Sequence, residues 1–194
     1  MGCKLKVCFF KPESDLNPVA VERYEANILG CTRQFRYSTA NTNTIDMALS
    51  VNGIPVVALE LKNQFTGQDY ICAINQYKND RSSKEFAFHL NHRFLVYFAV
   101  DLYEVWMTTQ LADSNTRFLP FNQGSNGAGV TGGAGNPQNP NGYATSYLWE
   151  EVLQRDSLLD LIHRFISFVK EKEEVVKNGV SRMVTKEKMI FPRY

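Results

Sequence analysis

The 194-residue chain is expected to fold as an α/β domain built on a mixed β-sheet flanked by helices. Three observations carry that expectation. Asn52-Gly53 separates two apolar-rich runs, Ile45–Val51 and Ile54–Lys62, which is the strongest short-range signal for a β-hairpin. Arg93 to Val100 is an almost unbroken apolar run, the pattern of a strand buried on both faces. Two segments around these show helical spacing, so the order runs helix, three strands, helix, strand.

Taken in order, Lys4 to Lys11 alternates and is rich in β-formers, which predicts a strand closed by Pro12. Asn17-Pro18 opens a helix running to about Leu29, with Val21, Tyr24 and Ile28 on one face and Gly30 as the stop. Thr32 to Tyr37 is a short strand leading into the hairpin. Thr66-Gly67 starts a second helix to about Arg81, with Tyr70, Ala73, Ile74 and Tyr77 on its apolar face. Glu104 to Thr109 is a strand beside Arg93–Val100. Residues 1–121 form the expected core. Residues 122–146, with seven glycines and five asparagines, form a long and partly mobile loop. Residues 147–194 read as a helical segment, with Leu148, Val152, Leu158, Leu159, Ile162 and Phe165 at helical spacing. In it Asp156-Ser157 is a cap, Lys170–Glu174 a solvated helix end and Asn178-Gly179 a breaker.

Composition narrows the function. Apolar content of 44% and aromatic content of 12% fit a globular core. A formal net charge of +1 gives no electrostatic case for a dedicated nucleic-acid binder, although a nuclease within a larger machine can borrow affinity from its neighbours. Cys3, Cys8, Cys31 and Cys72 show no metal or disulfide spacing and read as reduced, buried residues of a cytoplasmic protein. No apolar run reaches membrane-spanning length, and the start lacks a signal-peptide pattern. G-x-x-x-x-G-K-[ST] is absent, so the chain holds no ATP site of that kind.

The chemistry concentrates on the hairpin. Its turn folds Asp46 back towards Glu60 and Lys62. The two-residue period puts Glu60 and Lys62 on one face of their strand, beside Ala58. On the facing strand Asp46 shares a face with Ala48 and Ser50, while Ile45, Met47, Leu49 and Val51 form the apolar side. An ideal two-residue turn would pair Asp46 with Leu59, the wrong face, so a bulge or enlarged loop is expected between Ser50 and Val56. Two carboxylates and a lysine converging on a solvent-facing site are what a Mg²⁺-dependent phosphodiesterase needs. On motif grounds alone Asp…Glu-x-Lys is a weak pattern, and a hairpin whose acids and lysine are merely solvated is the favoured reading of it. His89-x-x-His92 lacks a third ligand, and His163 has no evident partner. Arg33, Arg36, Lys78, Arg81 and Arg93 are candidate phosphate contacts. Trp106 and Trp149 fit core or interface positions.

Longer runs carry a resemblance. Thr32-Arg33-Gln34, Tyr37-Ser38, Val51-Asn52-Gly53-Ile54-Pro55-Val56, Glu60-Leu61-Lys62-Asn63 and Thr66-Gly67-Gln68 resemble the restriction (R) subunit of type I restriction–modification enzymes. So do Gln76-Tyr77-Lys78, Asp80-Arg81, Phe98-Ala99-Val100-Asp101, Met107-Thr108-Thr109, Phe118-Leu119-Pro120-Phe121 and, near the end, Phe191-Pro192-Arg193-Tyr194.

The resemblance implies a PD-(D/E)xK (restriction-endonuclease-like) core with a C-terminal helical linker, leading to an ATP-driven superfamily 2 motor outside this chain. It carries the metal-binding acids onto Asp46 and Glu60, with the Leu61 carbonyl as a third ligand, and the catalytic lysine onto Lys62. Ile45 stands where the family has proline. A glutamine–tyrosine motif implicated in DNA handling has its nearest counterparts in Gln76 and Tyr77, with Lys78 and Arg81 beyond them. The implied cofactor is Mg²⁺, with ATP required by the full-length subunit. The implied partners are double-stranded DNA and the methyltransferase and specificity subunits, with no membrane. The chain reads as an excised piece of that subunit. The alternative is a non-catalytic docking module of the same subunit.

Overall fold

A computed structural model describes residues 6–90, 92–177 and 180–193. The described chain builds a six-stranded mixed sheet in the order β1 to β6 and a separate two-stranded sheet. Helix α1 (Pro18–Glu25) is capped by the Asn17 side chain, which accepts from the Ala20 amide, with proline at the first helical position. It ends earlier than the spacing predicts. The buried Asn27 side chain donates to the Tyr24 and Phe9 carbonyls and accepts from the Phe9 amide, so the chain turns there. The same contacts correct the first expected strand. Residues 6–11 are irregular, held by Asn27 and by Asn52, which donates to the Val7 carbonyl; Lys4 and Leu5 lie outside the described residues.

Strands β1 (Leu29–Arg36), β2 (Thr44–Val51) and β3 (Ile54–Leu61) form an antiparallel meander. Asn52 (φ 50°) and Gly53 (φ 83°) make the tight turn, both in the left-handed region that a two-residue hairpin demands. The expected bulge is present: Val51 pairs with Ile54 and Ser50 with Pro55, but Leu49 pairs with Val57. One extra residue, Val56, shifts the register.

Helix α2 (Tyr70–Asn79) is capped by Asp69 and follows a short 3₁₀ turn at Gln64–Thr66. It carries the chain across to β4 (Val96–Val100), which pairs parallel with β3 and is buried along its whole length. Strands β5 (Val105–Thr108) and β6 (Leu119–Pro120) complete the sheet antiparallel. One sheet face packs Ala58, Tyr97 and Ala99 against Ala73 and Tyr77 of α2. The other packs Val57, Leu59, Phe98 and Val100 with Tyr24 of α1 and the helical segment that follows the long loop.

The loop over 122–146 is pinned at its base by Asn122, which accepts from the Val105 amide, and by Asn136, which donates to Asn122 and to the Tyr103 carbonyl. Helical turns then occupy Leu148–Val152, α3 (Arg155–Asp160) and Leu161–Phe165. The helical segment expected up to residue 194 stops there. Strands β7 (Ser167–Lys177) and β8 (Val180–Ile190) form an antiparallel hairpin whose side chains are mostly exposed. The charged stretch 170–174 is thus a strand, in which alternating Lys and Glu meet partners across the ladder. Lys170 pairs with Glu187 at 2.7 Å, Lys186 with Glu173 and Lys188 with Glu171. Asn178-Gly179 lies outside the described residues. Among the described cysteines, Cys8 is half-buried while Cys31 and Cys72 are exposed and unbridged, which corrects the expectation that all are buried.

Candidate functional site

The bulge at Val56 decides where the acids point. Beyond it, Met47 pairs with Leu59 and the same register brings Asp46 opposite Glu60. Pairing of β3 with β2 stops at Leu59, while pairing with β4 runs on to Leu61 and Val100, and the Lys62 amide still donates to the Val100 carbonyl at 2.8 Å. The two strands therefore part between Asp46 and Glu60. In the opening, Asp46 Oδ2 accepts the Leu61 amide at 2.9 Å, capping a donor that the ladder no longer satisfies. Gln34, on β1 beside Asp46, has φ 49°. Its side-chain Nε2 donates to Asp46 Oδ1 at 3.5 Å, and its Oε1 accepts from Thr44 Oγ1 at 2.7 Å. This kink corrects the expected face pattern. Ile45 packs with Ala48, Ala58 and Tyr97 on the α2 side, not with Met47, Leu49 and Val51.

Glu60 is fully buried, not solvent-facing as the sequence suggests. Arg81 Nε and Nη2 both donate to its Oε1, at 3.0 and 2.8 Å, while Oε2 is buried with no hydrogen-bond donor. The Asp46 carboxylate lies within hydrogen-bonding reach of the Glu60 carboxyl. Two oxygen acceptors held together need a proton or a cation between them. Burial pushes the Glu60 carboxyl up to about 8; Arg81 opposes the shift and Asp46 adds to it. Lys62 stands beside this pair. Its side chain is 11% exposed, and Nζ lies 3.9 Å from Asp46 Oδ2 and donates to Gln76 Oε1 at 2.6 Å.

The structure thus brings Asp46, Glu60, Leu61 and Lys62 together at one opening of the sheet, with Gln76 behind the lysine. Two of the expected DNA contacts take internal roles. Tyr77 is fully buried and its hydroxyl donates to the Phe98 carbonyl at 3.3 Å, so it is not available to a DNA strand. Arg81 is buried against Glu60. Its spacing of four from Tyr77 and eight from Ala73 puts it on the inward face of α2's line, a signal the sequence already carried. Lys78 is half-buried on the same helix; Arg33, Arg36 and Arg93 are exposed.

Elsewhere, His163 stacks on Phe10 with centroids 4.2 Å apart, so it has a partner after all. His89 and His92 face each other, with centroids 5.1 Å apart. Among the described residues no group of three His, Cys, Asp or Glu side chains could hold a metal ion, and any cation at the hairpin would rest on two carboxylates. No helix among them is long and apolar enough to cross a membrane.

The family model of the type I restriction enzyme R protein N terminus (HSDR_N) matches residues 13–116. The chain belongs to this family. No curated protein and no solved structure matches it. The matched stretch runs from just before α1 to beyond β5, and so holds the β2–β3 hairpin, α2 and every residue of the opening. The long loop, α3 and the β7–β8 hairpin lie outside it.

Proposed function

We propose that this region is the Mg²⁺-dependent endonuclease part of a type I restriction R subunit, a PD-(D/E)xK nuclease that hydrolyses DNA phosphodiester bonds. The observation that carries this reading is the buried Glu60 carboxyl, whose Oε2 has no donor and which interacts with the Asp46 carboxylate, itself 3.9 Å from the Lys62 amine. The donor set fits the ion: Mg²⁺ is held by one or two carboxylates, keeps several waters and completes its shell with substrate phosphate. Asp46 and Glu60 would hold it, with the Leu61 carbonyl as a further ligand.

When bound, the ion supplies an acidified water and charge stabilisation for the scissile phosphate. The chain's own residues do the rest. Lys62 orients the attacking water and offsets charge gathering on the phosphoryl oxygens. Gln76 holds the Lys62 amine in place through its carbonyl oxygen. In the assembled enzyme the cut follows ATP-driven translocation by a motor outside this chain, in the cytoplasm, with methyltransferase and specificity subunits as partners and double-stranded DNA as substrate.

A docking role is the second reading, favoured by the exposed β7–β8 arm. Nicking of supercoiled plasmid by the full subunit complex with Mg²⁺ and ATP, with and without Lys62→Ala, separates the two. The nuclease reading expects cleavage to fall by on the order of a hundredfold or more while ATP hydrolysis persists. A folded variant that loses both activities together gives the lead to docking.

A further inference from the structure

Arginine normally grips a carboxylate with two parallel bonds, one to each oxygen. Arg81 does not. Both of its donors converge on Glu60 Oε1, and the guanidinium is held there by two other contacts. Nη2 also donates to the Thr44 carbonyl at 2.8 Å, and Nη1 to the Asp80 carbonyl at 3.4 Å. The Tyr37 ring lies 5.5 Å from the guanidinium carbon. Thr44 begins β2 and Asp80 follows α2, so the guanidinium is fixed to two elements besides β3. It cannot slide to Oε2 without breaking them. One oxygen of Glu60 is therefore occupied and the other left bare, in a carboxyl that also interacts with Asp46.

From this geometry we infer that Arg81 is a positioning residue that restricts Glu60 to one-oxygen coordination and thereby sets the site's preference for Mg²⁺ over Ca²⁺. The inference rests on the metal-site reading of the hairpin. Mg²⁺ demands a compact octahedral shell of single oxygens, whereas Ca²⁺ accepts six to eight ligands and readily takes both oxygens of one carboxylate. With Oε1 blocked, Glu60 offers a geometry that suits the smaller ion and denies the larger one its bidentate clamp. A partner that orients a ligating carboxylate in this way is usually worth about 10–100-fold in metal affinity.

Calorimetric and thermal-shift titrations of the full chain with MgCl₂ and with CaCl₂ test this without any cleavage assay. Wild type is expected to bind Mg²⁺ at least as tightly as Ca²⁺. Arg81→Gln should weaken Mg²⁺ binding by about 10–100-fold and move the Mg²⁺:Ca²⁺ affinity ratio towards Ca²⁺ by about tenfold. Arg81→Lys, which keeps the charge but not the paired donors, should shift the ratio the same way by less. A ratio unchanged in a folded variant overturns the inference, because a merely structural arginine would change stability and leave the ratio alone. If both variants fail to fold, wild type still decides, since tighter binding of Ca²⁺ than Mg²⁺ overturns it too. Asp46→Asn separates the two levels. Equal Mg²⁺ binding by wild type and Asp46→Asn sinks the metal site itself. Loss in Asp46→Asn with an unmoved ratio in the Arg81 variants sinks only the role of Arg81.

Discussion

The β2–β3 and β7–β8 hairpins both have Asn-Gly between their strands, yet they are built for opposite surroundings. In β2–β3 the strands are eight residues each and lie mostly in the core, with a one-residue bulge and an opening at Asp46 and Glu60. In β7–β8 the strands are eleven residues each, the register is unbroken from Ser167–Ile190 to Lys177–Val180, and Lys and Glu alternate on exposed faces. A regular ladder satisfies the backbone groups between its two strands without help from side chains. An interrupted one exposes donors and acceptors that side chains must meet, and there the chain concentrates its buried charges.

If that contrast is right, the largest effect should come from deleting Val56. Removing the extra residue leaves Leu49 paired with Val57 and Asp46 opposite Glu60, but it makes the ladder regular and takes away the bend and added twist of the bulged strand, so β2 and β3 no longer part at the acids. We expect the sharpest fall in melting temperature and loss of Mg²⁺-induced stabilisation; a deletion variant that still binds Mg²⁺ would break the comparison. Next comes Glu60→Ala. It leaves the buried Arg81 charge without its partner and should cost about 3–5 kcal/mol in denaturant unfolding. Glu60→Gln, which keeps the shape, should cost less while still abolishing Mg²⁺ binding.

The same carboxyl should make stability depend on pH in the absence of divalent cations. An acid whose pKa is raised on folding favours the fold fully below its unfolded value, and that contribution is lost as pH climbs through about 8. Unfolding curves should therefore show stability falling from about pH 5 to about pH 8 in wild type, with that component missing in Glu60→Gln. A flat or rising wild-type profile would show that Arg81 outweighs burial. At the small end, neutralising Lys186 or Glu171 in the second hairpin should leave the melting temperature unchanged within error. Their ion pairs, with Glu173 and Lys188, are exposed, and such pairs contribute little.

Much of the site is legible without coordinates. The Asn52-Gly53 turn, the mixed sheet and the bulge follow from side-chain parity and turn chemistry, which are local. The burial of Glu60 does not, because a glutamate in a strand looks solvated until α2 closes over it. Arg81 looks like a surface cation for the same reason, although its spacing from Tyr77 points inward. The second hairpin escapes a reading by apolar spacing. Helical periodicity up to Phe165 favours continuing the helix, and the charged residues after it fit a solvated helix and an exposed strand equally well. Its signal lies in Val175-Val176 and Val180 on either side of Asn178-Gly179, the same turn pattern that marks the first hairpin.

By itself the sequence determined the order of elements from α1 through β5, the turn that folds Asp46 towards Glu60 and Lys62, and the residues that carry the family likeness. Those depend on neighbours within a few positions. Only the tertiary structure decided that Glu60 is buried, that Arg81 occupies one of its oxygens and leaves the other bare, and that Gln76 holds Lys62. Such contacts join β2, β3 and α2 across 14 to 37 positions of chain, and the desolvation that sets their energies exists only once those elements have packed.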